Sequence, residues 1–118
     1  MNERLTSRER IRKKRDFASI YRYGSRYRGR YYTLVYRPNA LGCSRLGVVV
    51  SKKVGPAVTR NGVKRRMREL FRRNKGLFTE SMDLIIVARP EIVDLGFAEL
   101  EAGYFSALGA LTRKRTPG

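Results

Sequence analysis

The sequence predicts a single-domain α+β fold, an α-β sandwich in the order α-β-β-(β)-α-β-α. Three observations predict it. Segments with helical apolar spacing alternate with short β-branched and aromatic runs. The 118 residues contain no repeat, low-complexity tract or linker, so one unit is expected across 1–118. Hydrophobic residues make up 42% of the chain, enough for one core burying about two-thirds of the surface an unfolded chain of this size exposes.

Residues 1–12 hold few apolar side chains and are expected to be extended or flexible. From about Lys13 to Tyr23, Phe17, Ile20 and Tyr21 fall at i, i+3 and i+4, the spacing of one helix face. Gly24 stands where a left-handed cap would end that helix. One more short strand fits near Tyr27. Tyr31 to Arg37 is aromatic and β-branched, and Pro38-Asn39 stops it. Leu46 to Ser51 reads as a buried strand, and the Ala40–Arg45 loop makes these two strands an expected antiparallel pair. Pro56 suits the first turn of a helix running to Lys75, with Gly76 as its cap. Asp83 to Arg89 is a continuous apolar run closed by Pro90, which suits a central strand. The last helix, about Phe97 to Arg113, repeats Phe97, Leu100, Tyr104, Phe105, Leu108 and Leu111 at helical spacing, and 113–118 form a basic tail.

Charge narrows the function. Lys and Arg number 27 against 10 Asp and Glu, a net of +17, which points to a polyanionic partner. The excess is concentrated: residues 1–30 carry a net +8 and residues 52–75 a net +9, whereas 76–112 carry −5. A merely solubilising surface would interleave its signs. The absence of histidine removes imidazole acid-base chemistry, His-activated nucleophiles and imidazole zinc sites. Cys43 is the lone cysteine, so no internal disulfide forms; it reads as an inert loop thiol in a reducing compartment. No apolar run approaches the ~20 residues that span a bilayer, and no secretory signal is expected.

On a helical wheel, Val63, Met67, Leu70 and Phe71 form one stripe. Asn61, Lys64, Arg65, Arg68, Arg72 and Lys75 fill the adjoining arc, with Arg66 and Arg73 beside Glu69 at the other edge. Like charges at i, i+4 (Lys64/Arg68, Arg68/Arg72) cost a few tenths of a kcal/mol per pair. One glutamate does not offset them, and phosphate would. Arginine predominates, which suits forked contacts to phosphate oxygens.

The run Arg60-Asn61-Gly62-Val63-Lys64-Arg65-Arg66-Met67-Arg68-Glu69 resembles the RNR signature of the protein subunit of bacterial ribonuclease P. Leu46 to Lys53 resembles that family's strand leading into the helix, Arg15-Asp16-Phe17 with Tyr21 and Gly24 its first helix, and Asp83 to Arg89 its last strand. The match runs in order through most of 8–112. One departure is Gly62, where the signature usually has its second arginine. The resemblance implies a fold like the second domain of a small-subunit ribosomal protein, with a left-handed β-α-β crossover, although such crossovers are otherwise almost always right-handed.

The resemblance also implies the function. The chain would be a cytoplasmic accessory subunit that binds the catalytic RNA of ribonuclease P and the 5′ leader of precursor tRNA. It would support endonucleolytic removal of the leader, leaving a 5′-phosphate on mature tRNA. It implies no catalytic or metal-ligating residue on this chain, Mg2+ held mainly by the RNA, no required protein partner and no membrane. The residues that match the RNA-binding surface are Lys52, Lys53, Arg60, Asn61, Lys64, Arg65, Arg68 and Arg72. Phe17 and Tyr21 match the aromatic positions of a cleft for the leader, where unpaired bases can stack. Ordinary packing of a helix on a sheet would use the same two residues. The strand offers two faces, Tyr32/Leu34/Tyr36 and Tyr31/Thr33/Val35, and Thr33 and Val35 are taken as the cleft floor. The main rival is a structural, ribosomal-type RNA-binding protein, since charge and fold would look alike. An autonomous metal nuclease would need converging carboxylates, which the spacing of Glu99 and Glu101 does not provide. Membrane-surface binding is disfavoured because the basic helix's narrow apolar stripe is needed for the core.

Overall fold

The computed structural model describes residues 5–115, with side chains through Leu111. Three helices and four strands follow the expected order: α1 (Lys14–Tyr23), β1 (Ser25–Arg28), β2 (Tyr32–Pro38), β3 (Arg45–Val49), α2 (Ala57–Arg73), β4 (Met82–Ala88) and α3 (Phe97–Arg115). Short 3-10 turns precede α1, α2, β4 and α3.

The sheet order is β1-β2-β4-β3. β2 and β3 are therefore not the expected hairpin. β4 lies between them, antiparallel to β2 and parallel to β3. The reason is burial. Six of the seven β4 residues are buried, on both faces, so this strand needs a hydrogen-bonded neighbour on each edge. The 39–44 loop passes over the start of β4, where the Asn39 amide donates to the Ser81 carbonyl (2.9 Å) and the Met82 amide to Ser44 Oγ (3.0 Å). An ion cluster then holds the register in which Arg45 faces Asp83. Arg45 Nε and Nη2 donate to the two Asp83 oxygens at 2.8 Å each, and Asn39 Nδ2 donates to Oδ1 at 2.8 Å. Asp83 is 2% exposed.

The two sheet faces differ. Tyr32, Leu34 and Tyr36 of β2 with Leu84, Ile86 and Ala88 of β4 face the main core. There the α2 stripe of Val63, Met67, Leu70 and Phe71 is buried as the wheel predicts, together with Leu100, Tyr104, Leu108 and Leu111 of α3. Phe105, expected in that repeat, is instead 43% exposed, because α3 turns a narrower face to the sheet. On the opposite face α1 covers only a small cluster of Ile11, Ile20, Val35 and Ile85.

Two local expectations change, and the N-terminal segment gains a defined place. Gly24 is extended (φ −78°, ψ 163°), not left-handed; a Cβ there would lie 2.5 Å from the Ile20 carbonyl oxygen and 2.9 Å from that of Tyr36, so close approach is what requires glycine. α2 ends at Arg73 rather than Lys75. Asn74 caps it, its Nδ2 donating to the Leu70 carbonyl at 2.8 Å, and Gly76 falls in the following turn. Residues 5–12, expected extended or flexible, run along the outer edge of β3. Leu5 and Ile11 are buried, the Ile11 amide donates to the Leu46 carbonyl (3.0 Å), and Glu9 pairs with Lys75 at 2.5 Å. Residues 1–4 and 116–118 lie outside the described residues.

Candidate nucleic-acid interface

Two surfaces carry the residues singled out by sequence. The first is α2. Its buried stripe fixes the helix's rotation, so the adjoining arc must face outward. Asn61 and Arg65 are exposed, and Lys64, Arg68 and Arg72 are half-buried beside the core stripe. Not all are equivalent. Arg60 Nε donates to the Gly55 carbonyl at 3.1 Å, fixing the tight turn (Gly55 φ 153°) that carries the chain from Lys52–Val54 into α2. Arg72 Nη2 and Arg73 Nε both donate to Glu69 Oε1 at 2.7 Å. The Arg72 contact, aided by Arg73, holds the Glu69 carboxyl below its ordinary range. Glu69 is thus engaged within its own turn. Arg68 has its guanidinium pulled down first by burial, then by the neighbouring cation of Arg10. Sequence reasoning missed Arg10. The alternation of Arg8, Arg10 and Arg12 around Glu9 and Ile11 is the signal that could have found it.

The second surface lies between α1 and the sheet face it only partly covers. Ile20 is buried against this face, while Phe17 and Tyr21 stay half-buried beside it, ring centroids 6.5 Å apart and tilted by 32°. Phe17 packs directly against β3 because Gly47 has no side chain; a Cβ there would sit 2.8 Å from its Cε1 and Cζ. Arg26 stands over the Tyr21 ring, 5.9 Å from the centroid, a cation-π distance. Burial raises the Tyr21 hydroxyl above its ordinary value, more than Arg26 lowers it. Thr33 and Val35 share this face, but differently. Val35 is buried beneath α1, whereas Thr33 is half-exposed and accepts a hydrogen bond from Arg89 Nη2 (3.4 Å). Thr33, Val49 and Val87 are register neighbours across three strands. They form an uncovered floor at the end of the sheet from which exposed Lys52 and Lys53 continue.

Among the described residues, no three Cys, Asp or Glu side chains converge as metal ligands would, and no helix is long and apolar enough to cross a membrane.

The Ribonuclease P family matches residues 5–112. The ribonuclease P protein component of Thermotoga maritima is 42% identical over 92 residues, covering 78% of this chain and 79% of that one. The solved structure of the Staphylococcus aureus RNase P protein is similar with a TM-score of 0.81 and 33% identity, over 87% of this chain and 94% of that one. That of the T. maritima RNase P protein is similar with a TM-score of 0.79 and 34% identity, over 93% and 99%.

Proposed function

Because the chain belongs to the ribonuclease P protein family, we propose that it is the protein subunit of a ribonucleoprotein that removes the 5′ leader of precursor tRNA in the cytoplasm. The observation that carries this reading is the α2 arc: Asn61, Lys64, Arg65 and Arg68 face outward beside a glutamate already engaged by Arg72 and Arg73. The catalytic RNA is the compensating polyanion, with Lys52, Lys53, Arg60 and Arg72 extending the contact. The leader lies in the cleft, its unpaired bases against Phe17 and Tyr21 and its backbone over Thr33. Stacking of this kind contributes ~1–3 kcal/mol per base and is tolerant of sequence.

The chemistry is hydrolysis of a phosphodiester, for which this chain supplies positioning. Asp83 of β4 and Asp16 of α1 are acids on the elements that frame the cleft, and Arg45 engages both, at 2.8 and 3.4 Å. They do not fit a Mg2+ site, so the reading assigns the metal to the RNA.

Reconstitution tests it. The protein is added to a bacterial ribonuclease P RNA at low magnesium and leader release from precursor tRNA is followed. Cleavage that needs both components supports the reading; binding without stimulation across several such RNAs moves the structural RNA-binding alternative to first place. Arg65→Ala with Arg68→Ala should weaken RNA binding and flatten its salt dependence by about 0.7–0.9 log units for each phosphate left unneutralised. Phe17→Ala should weaken precursor tRNA binding relative to mature tRNA while assembly persists; equal losses for both substrates would remove Phe17 from the leader cleft.

A further inference from the structure

A cavity of about 380 Å³ opens where the N-terminal segment meets the start of α1, lined among others by Arg8, Arg10, Arg12, Lys13, Asp16 and Arg45. Five cations thus surround one carboxylate. That carboxylate is already shared, since Asp16 Oδ2 accepts from Arg45 Nη1 at 3.4 Å, and Arg45 is itself held by both oxygens of Asp83. Arg8 satisfies one donor on the Leu41 carbonyl (2.6 Å), which leaves its charge unbalanced. Among the described residues, no carboxylate pairs with Arg10, Arg12 or Lys13. The Arg10 Nε–H is buried with no acceptor, and a buried donor left without a partner is costly. The first turn of α1 borders the same space, and its N-cap, Lys13, provides no side-chain acceptor, so the positive end of the helix adds to the field.

We infer that this cavity binds a phosphodiester of RNA, joining the α2 face to the leader cleft. The inference rests on the RNA-binding reading above. Guanidinium forks match phosphate oxygens, and an open cavity ringed by five cations suits a backbone phosphate better than an isolated base. Its position gives it a task. On one side Arg10 pairs with Leu46 on the outer edge of β3 and lies close enough to Arg68 to perturb it. On the other, Phe17 on Gly47 begins the cleft. A backbone passing between the two surfaces crosses Arg10, Arg12 and Lys13. The phosphate can come from the catalytic RNA or from the leader.

The test uses the full-length protein with Arg12→Gln and Lys13→Gln together. Both side chains are exposed, so the fold should hold, as thermal melting will verify. The affinity for a bacterial ribonuclease P RNA is measured against KCl concentration, and holoenzyme binding is compared for precursor and mature tRNA. A salt slope for the catalytic RNA reduced by about 0.7–0.9 for each phosphate released assigns the phosphate to that RNA. An unchanged slope with a several-fold loss of precursor preference assigns it to the leader. Arg12→Lys, which keeps the charge, should behave as wild type in both. If neither quantity moves while Arg65→Ala/Arg68→Ala flattens the slope, the cavity is not a phosphate site. If that control pair also has no effect, the RNA-binding reading of α2 falls, and this inference with it.

Discussion

Gly62 lies inside α2, where a glycine is least expected, and the structure gives the sign and size of its replacement by alanine. A Cβ built at Gly62 meets nothing within 4 Å. There is accordingly no clash to subtract and no buried cavity to fill, and the change reduces to backbone preference. Alanine is favoured over glycine in a helix interior by about 0.8–1.0 kcal/mol, in part because glycine leaves the unfolded chain more conformations to lose. For a chain of 118 residues, 1 kcal/mol corresponds to a rise in Tm of about 4 °C. Gly62→Ala should therefore raise the thermal midpoint by about that amount, measured by circular dichroism at fixed salt, with RNA affinity unchanged. Gly62→Arg, which restores the residue usual in the signature, should steepen the salt dependence of RNA binding by about one phosphate's worth, 0.7–0.9 log units. Its stability gain should be smaller, because Arg66 at i+4 repels the new charge. A fall in Tm for Gly62→Ala would refute the reasoning, since it would mean that the Cβ meets an obstacle absent from this structure.

The same substitution has the opposite sign elsewhere. Gly24→Ala places a Cβ 2.5 Å from the Ile20 carbonyl oxygen and 2.9 Å from that of Tyr36, and since backbone must move, Tm should drop by several degrees; an unchanged melt would contradict the close approach. Gly47→Ala meets the Phe17 ring at 2.8 Å, so the ring must leave β3, and precursor-tRNA preference should fall more than affinity for the catalytic RNA; parallel losses would argue against the cleft. Asp83→Ala removes the acceptor of both Arg45 forks and of Asn39, and breaking a pair this buried costs about 3–5 kcal/mol, read as a shifted urea midpoint. For Glu9, burial raises the carboxyl, but the Lys75 ammonium and the Thr6 donors outweigh it and leave it below its ordinary value. A carboxyl lowered on folding stabilises above its unfolded pKa and loses that contribution as pH falls through the folded value. The penalty of Glu9→Gln should thus be present at pH 7 and shrink toward pH 3; equal penalties at both would sink the assignment.

Much of this architecture is legible locally. The rotation of α2 follows from Val63, Met67, Leu70 and Phe71, because only one helix face can be apolar when the rest is cationic, and that also turns Lys64, Arg65 and Arg68 outward. β4 is marked as a central strand by its unbroken apolar run. Phe17, Ile20 and Tyr21 mark the covered face of α1. Local pattern is weaker where partners are distant in sequence. It also hides second tasks: Arg60 matches the phosphate-binding arc, and only the structure shows its Nε held on the Gly55 carbonyl at the turn into α2. Val35 and Thr33 alternate identically along β2, yet α1 buries one and leaves the other half-exposed.

By itself, then, the sequence determined the element types, the buried stripe of α2, the +17 charge and its concentration in two blocks, and the family resemblance, because each depends on residue identity and short-range period. Only the tertiary structure decided that β4 separates β2 from β3, that residues 5–12 close the edge of β3, and that Arg10 lies beside Arg68. Those outcomes depend on which apolar surfaces and unpaired strand edges compete for burial, a contest among segments up to about 60 residues apart that no periodicity within one segment records.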